Sequence, residues 1–395
     1  MALKEVPIGE LQLGMYVAKL DRPWTETPFM FQGFVLRNDK QIDALKKYCS
    51  TVFVDPEKRD LSETGGPAIT IRGTTVYKVA STLDTELPRA RSAIAETTIV
   101  IKQISHAVSA GGPIEGAKVK EAVSHITESV VRNPDAASLL VQLQEKSGET
   151  FNRAIHVSVM MSIFGRFLQL PRENIELLSM LGLLQDAGKL KLPGTLLAKI
   201  EPFTPEEEAL YQTHVDRSVE ILNGTTGLPN DLPGLASLHH EHFDGTGYPR
   251  GLRGGAIALP GMIAGIVDFF DTLVAPPPLG KRMSPSNALS LIYKMRGTLF
   301  QAALVEQFIQ CVGVYPVGSA IEFNTGEIGI VIAQNPLLRL QPRVMLIKDA
   351  KGFDIRPYRM LDLSKGPKAN AEEPYRIRRT LEYDAIKVDP RELFL

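Results

Sequence analysis

The stretch His239-His240-Glu241-His242-Phe243-Asp244-Gly245-Thr246-Gly247-Tyr248-Pro249 decides how this chain is read, together with Leu183-Leu184-Gln185-Asp186-Ala187-Gly188-Lys189 upstream of it. Five of the seven histidines lie between residues 156 and 242, a concentration that composition does not favour. With Asp186 and Asp268 they sit on segments read as helices or helix ends. Imidazole plus carboxylate suits a first-row metal such as iron, manganese or zinc. Two ions sharing a carboxylate bind both oxygens of a phosphodiester and activate water for in-line attack. A lone histidine is more often a surface or hydrogen-bonded core residue. His156, His214, His239 and His240 taken with two aspartates favour the metal reading. Helix neighbours point about 100° apart, so His239 and His240 share one site only from a well-placed helix end. Otherwise one binds metal while the other meets substrate or a second ion. His242 reads as solvent-facing.

Outward from this cluster, residues from Thr75 to about Phe308 are helical in character. Val100, Ile101, Ile104 and Val108 recur at helical spacing, as do Val119, Val123, Ile126 and Val130. Asn133-Pro134-Asp135 interrupts the pattern and restarts it through Leu140; a further helix runs from Asn152 to Leu168, and another ends at Gly188. An all-α bundle with ligands projecting into a cleft from several helices is expected. Before it, Met15-Tyr16-Val17, Phe31 to Leu36 and Thr51 to Val54 read as strands, with a helix from Lys40 to Tyr48. After it, Ala320 to Phe323, Ile328 to Ala333 and Val344 to Ile347 read as strands, the first two joined by the hairpin turn Asn324-Thr325-Gly326-Glu327. The fold class is multidomain and mainly α: a small α+β module over 1–60, a linker and helical segment over 61–144, the bundle over 145–315, and a β-rich segment over 316–395.

At 395 residues two or three domains are expected, and a hydrophobic share of 44% with 23% charged residues fits a globular protein with a full core. A net charge of −1 gives no basic field for a nucleic acid polymer. Two distant cysteines, no signal-peptide pattern and no apolar run long enough to span a bilayer lead to the expectation of a cytoplasmic protein.

The region from about 145 to 315 resembles an HD-GYP domain, a bacterial branch of the HD metal-dependent phosphohydrolases. The resemblance rests on His156, Asp186 to Lys189, His214, His239-His240-Glu241, Asp244 to Pro249, Gly251-Leu252 and Asp268 with Phe270-Asp271. It implies hydrolysis of cyclic di-GMP to pGpG or GMP. By the same resemblance His156, Asp186, His214, His239, His240 and Asp268 hold metals, with Asp186 bridging two ions, and Lys189 acts on phosphate or the attacking water. Asp244, Gly245, Gly247, Tyr248 and Pro249 then shape the nucleotide site or meet a partner such as a diguanylate cyclase-type protein.

Three positions depart from that pattern. Gln185 stands where the family has the histidine of its namesake pair, and an amide is a poorer ligand than imidazole. Pro277 and Gly280 stand where the family has two cations that contact phosphate, although Lys281 and Arg282 follow. Asn152 stands where members with a third ion carry glutamate. Independent decay of a catalytic site is the simplest account. The expected function is a cyclic di-GMP signalling regulator with weak or no hydrolysis, holding one or two divalent ions (iron, manganese or zinc) at incomplete occupancy. The alternative is an active phosphodiesterase. The helices between 75 and 145 pack either on the bundle or on a second copy, so a homodimer is an open expectation.

Overall fold

The computed structural model describes residues 3–22, 27, 34–36, 39–55, 71–143, 150–274, 283–335, 338–370 and 373–381. At the N-terminal end, β1 (Lys4–Pro7), β2 (Tyr16–Leu20), β3 (Phe34–Val35), α1 (Asp39–Tyr48) and β4 (Thr51–Asp55) form a small α+β unit. Its antiparallel sheet has the order β1-β4-β2-β3. Alternation puts Val52 and Val54 of β4 inward against Val17, Leu20, Leu36 and Leu45.

Residues 71–82 carry no helix, contrary to the expectation of helical structure from Thr75. This segment lies extended along the end of a later helix, with Gly73 N–H donating to the Leu168 carbonyl at 2.9 Å and Thr75 N–H to that of Gln169 at 3.0 Å. Those intersegment bonds satisfy the backbone in place of a helical ladder. Helix formation waits for Thr82, whose hydroxyl accepts from Thr85 N–H and caps α2 (Leu83–Ser109).

The helices that follow are α3 (Gly116–Arg132), α4 (Pro134–Leu143), α5 (Thr150–Phe167), α6 (Arg172–Leu184), a 3₁₀ turn at Ala187–Lys191, α7 (Gly194–Leu197) and α8 (Pro205–Gln212). Then come α9 (His214–Asn223), α10 (Leu232–Ala236), α11 (Leu259–Val274), α12 (Pro285–Lys294) and α13 (Ala302–Val312). Residues Ile155 to Met161 of α5 are all buried, because α5 is the central helix with neighbours on every side. One apolar core runs from Leu83 of α2 to Val312 of α13. Thus α2, α3 and α4 pack on the bundle of the same chain.

The α2–α3 contact contains a charge pair. Glu86, with a fully buried side chain, accepts from Arg132 Nε at 3.0 Å and from Arg132 Nη2 at 2.9 Å. Such two-pronged geometry is what makes a buried carboxylate tolerable.

Beyond α13, β5 (Ala320–Phe323), β6 (Ile328–Ala333), β7 (Arg343–Lys348), β8 (Asp354–Asp362) and β9 (Ile377–Thr380) form an antiparallel sheet of order β8-β7-β6-β5-β9. Its central strands are buried on both faces. Ile330, Ile332, Met345 and Ile347 join the helical core, while Val331, Val344, Leu346 and Phe323 pack on the opposite side.

Candidate metal centre

The sequence reading ends a helix at Gly188; α6 stops instead at Leu184, and the chain tightens into the 3₁₀ turn after Asp186. Gly188 explains the position of this turn. A Cβ there would lie 2.0 Å from the His214 carbonyl oxygen, so only glycine lets the turn meet the start of α9. Gly188 N–H donates to Ser218 Oγ at 2.8 Å and locks that approach. Asp186 is thereby set beside His214.

His239 and His240 follow α10 in a turn rather than lying on a helix. The 100° divergence of helical neighbours does not apply there, and both rings reach the same place. One ligand atom from each of Asp186, His214, His239 and His240 lies within 4.8 Å of all the others. His214 Nε2 is 3.4 Å from His239 Nε2, 3.2 Å from His240 Nε2 and 3.4 Å from Asp186 Oδ1. Nδ1–H of His214 donates to the Tyr211 carbonyl and that of His239 to the Ala236 carbonyl, each at 2.7 Å. These bonds turn the unprotonated Nε2 atoms toward the centre, as histidine ligands require.

The four residues fit a cation. A tetrahedron with ligands about 2.0–2.1 Å from a zinc-like ion has edges of about 3.3 Å, close to the three distances from His214 Nε2. Asp186 Oδ1 is buried with no hydrogen-bond donor among the described residues, and Gln185 Oε1 beside it is in the same condition. Burial works to raise the Asp186 carboxyl, but the Lys189 ammonium beside it overcomes this and holds the group well below the usual carboxylate range. Lys189 is itself buried, yet the Asp186 carboxylate keeps its ammonium favoured, with Nζ 2.6 Å from Oδ2. One Asp186 oxygen therefore faces the imidazoles and the other is held by Lys189.

Burial lowers His214 to about 4, only partly offset by Asp186. The unfolded chain takes up a proton near the ordinary value of 6.5. The depressed ring therefore contributes full stability above that value and loses it as pH falls toward about 4. Protein stripped of metal by a chelator should lose about 2 kcal/mol by roughly pH 5 from this group alone. Urea titrations across that range check it, and His214→Asn should flatten the slope.

The Gly-Tyr-Pro loop folds back onto the cluster. Glu241, buried, accepts Arg250 N–H at 2.9 Å and Leu252 N–H at 2.7 Å, closing the loop at its base. Asp244 Oδ1 accepts Thr246 N–H at 3.0 Å, and Gly245 has φ +83°. A Cβ on Gly247 would fall 2.3 Å from His242 N, so this backbone approach also needs glycine. The Tyr248 ring stacks on His240 with centroids 4.6 Å apart, and burial pushes its phenol upward. Pro249 at the loop's tip is exposed. His242 is half-buried, bonds Thr246 Oγ1 at 3.0 Å and stands outside the cluster.

The remaining ligand candidates are placed elsewhere. Both ring nitrogens of His156 are engaged, Nε2 with the Gln142 amide at 2.8 Å and Nδ1 with Asp271 Oδ1. Asp268 Oδ1 accepts from Arg153 Nη2 at 2.8 Å and from Gln185 Nε2 at 3.4 Å. Arg153 Nε lies 3.1 Å from Asp271 Oδ2. Neither His156 nor Asp268 joins the four-residue group. Asn152 is half-buried at the start of α5, beside Arg153. Pro277 and Gly280, with Lys281 and Arg282, lie outside the described residues. Sequence reasoning assigned no role to Arg153, Asp271 or Gln142. For Asp271 the signal was its place among the residues that carry the resemblance, and for Arg153 it was spacing, one helical turn before His156.

Residues 136–304 match the family model described as an HD domain, and residues 3–119 match one described as a domain of unknown function, DUF3391. A cyclic di-GMP phosphodiesterase of Pseudomonas aeruginosa is 27% identical over 92% of this chain and 89% of its own length. The cyclic di-GMP phosphodiesterase response regulator RpfG of Xanthomonas campestris is 33% identical over 36% of this chain and 38% of its own length. Among solved structures, a HDG"Y"P protein from Bdellovibrio bacteriovorus aligns with a TM-score of 0.48 at 13% identity, covering 78% of this chain and 98% of that one. The chain thus contains a segment, residues 136–304, that matches the HD-domain family and carries both the clustered histidines and the Gly-Tyr-Pro loop.

Proposed function

We propose that the chain is a cyclic di-GMP signalling regulator that binds the nucleotide, or a partner through its Gly-Tyr-Pro loop, and hydrolyses little or none. The observation that carries this reading is the division of the ligand set. Asp186, His214, His239 and His240 converge on one point, whereas His156 and Asp268 are spent on bonds within the protein. A divalent ion held by the first group supplies Lewis acidity toward a phosphodiester oxygen. Lys189 holds one oxygen of Asp186 and adds positive charge beside it. Tyr248 offers a flat face and a hydroxyl at the mouth of the cluster.

A regulator of this kind suits a partner of the diguanylate cyclase type, with Thr246, Pro249 and Arg250 exposed on the loop. No described helix is long and apolar enough to cross a membrane. The reading is tested by calorimetry with cyclic di-GMP and by a turnover assay with added Mn²⁺ or Fe²⁺. Binding without appreciable pGpG, at least about 100-fold below the ordinary enzymatic range of about 1–10³ s⁻¹, is the expected result. Brisk production of pGpG or GMP establishes the alternative, an active phosphodiesterase, which the names of the relatives favour.

A further inference from the structure

We propose that the guanidinium of Arg153 stands in place of a second metal ion, so that the cleft holds one exchangeable divalent cation and one cation built into the chain. This rests on the reading above and deepens it, by saying what closes the second position. Asp268 and Asp271 are one turn apart on α11 and both face α5, where Arg153 lies one turn before His156. Arg153 Nη2 reaches Asp268 Oδ1 at 2.8 Å and Thr272 Oγ1 at 2.5 Å, and Nε comes within 3.1 Å of Asp271 Oδ2. Two carboxylates and a histidine near Asp186 are the donor set of a cation site. Here the cation is arginine.

Gln185 belongs to the same exchange. Its amide gives a hydrogen to Asp268 Oδ1, the oxygen that Arg153 already grips. A histidine at this position would add a like charge beside the guanidinium whenever it is protonated, whereas an amide is neutral at every pH and still donates. The histidine-to-glutamine change is thus coupled to Arg153, where the sequence reading treated the departures as independent losses. Asp271 completes the group by holding His156 Nδ1 with its other oxygen.

Arginine is a lasting occupant because its guanidinium does not deprotonate in proteins. Burial disfavours its charge, but Asp268, Asp271 and Asp186 more than compensate. Unlike a metal ion it has no open coordination position, so it balances the acids without generating a bound hydroxide. A divalent ion entering the same space would meet that fixed positive charge lying between the two carboxylates.

The test counts ions. Wild-type chain, Gln185→His, the double variant Arg153→Gln/Gln185→His and the charge-retaining Arg153→Lys/Gln185→His are stripped with chelator and reloaded with Mn²⁺. After desalting, manganese per chain is measured by mass spectrometry. Wild type and Gln185→His should carry the same number of ions, Arg153→Gln/Gln185→His one more, and Arg153→Lys/Gln185→His no more than wild type. A second ion in wild type, in Gln185→His or in the lysine variant overturns the proposal. So does a folded Arg153→Gln/Gln185→His variant, judged by circular dichroism, that gains none. If that variant does not fold, the other three counts still decide. Rapid cyclic di-GMP turnover by wild type with one ion bound would sink the regulator reading and leave the arginine assignment standing.

Discussion

Asp186→Ala should abolish metal retention: after reconstitution and desalting the variant carries no ion, and its affinity for Mn²⁺ falls about 100-fold or more. Disturbing residues that merely support a ligand costs about 10–100-fold, so removing a charged ligand belongs at or beyond the upper end. Asp186 supplies the only carboxylate in the four-residue group found among the described residues, and its Oδ1 faces His214 and His239 at 3.4 and 3.5 Å. Its loss also strands Lys189, whose buried ammonium has Asp186 Oδ2 at 2.6 Å. A second consequence is therefore lower stability of the metal-free protein, which Asp186→Ala/Lys189→Met should partly restore without restoring metal. Calorimetric Mn²⁺ titration paired with thermal melts separates the two effects. Unchanged affinity in Asp186→Ala would mean that the three imidazoles suffice.

Glu86→Ala should be among the most destabilising single changes outside the metal centre. The Glu86 side chain is fully buried, and Arg132 approaches it with two nitrogens while Arg89 stands at 3.8 Å. Taking away one partner of a buried pair leaves the other uncompensated and costs about 3–5 kcal/mol. Arg132 keeps some contact with water, so the lower figure of about 3 kcal/mol applies, a fall in melting temperature of roughly 6–12 °C. Replacing both partners by apolar residues, Glu86→Leu/Arg132→Met, should recover much of the loss, because the desolvation penalty goes with the charges. Melting curves of the three proteins decide the point. A loss below about 1 kcal/mol in Glu86→Ala would class the pair with ordinary surface ion pairs.

The elements that could be read from sequence are those whose pattern is local. β5 and β6 have the expected limits, because the short apolar runs Ala320–Phe323 and Ile328–Ala333 flank a turn built of Asn324, Thr325, Gly326 and Glu327. α5 and α1 fall within two residues of their expected positions for the same reason. The stretch from Thr75 to Thr82 was misread because its structure depends on carbonyls of Leu168 and Gln169, far along the chain. In the candidate metal centre, the residue types of Asp186, His214, His239 and His240 were legible from their motif. That both adjacent rings come together with Asp186 and His214 depends on a turn after α10, which residue spacing does not reveal. Arg153 was invisible for a different reason. An arginine on a helix is ordinarily a solvated residue, and only the packing of α5 on α11 brings it between two aspartates.

The sheet that follows α13 has a practical bearing on how this protein is dissected. Since Ile330, Ile332, Met345 and Ile347 complete the apolar interior begun by α2, a fragment trimmed to residues 136–304 would bare oily surface at both severed ends. The smallest piece that melts as a cooperative whole should therefore begin near Leu83 and continue through β7, and shorter pieces should clump on expression.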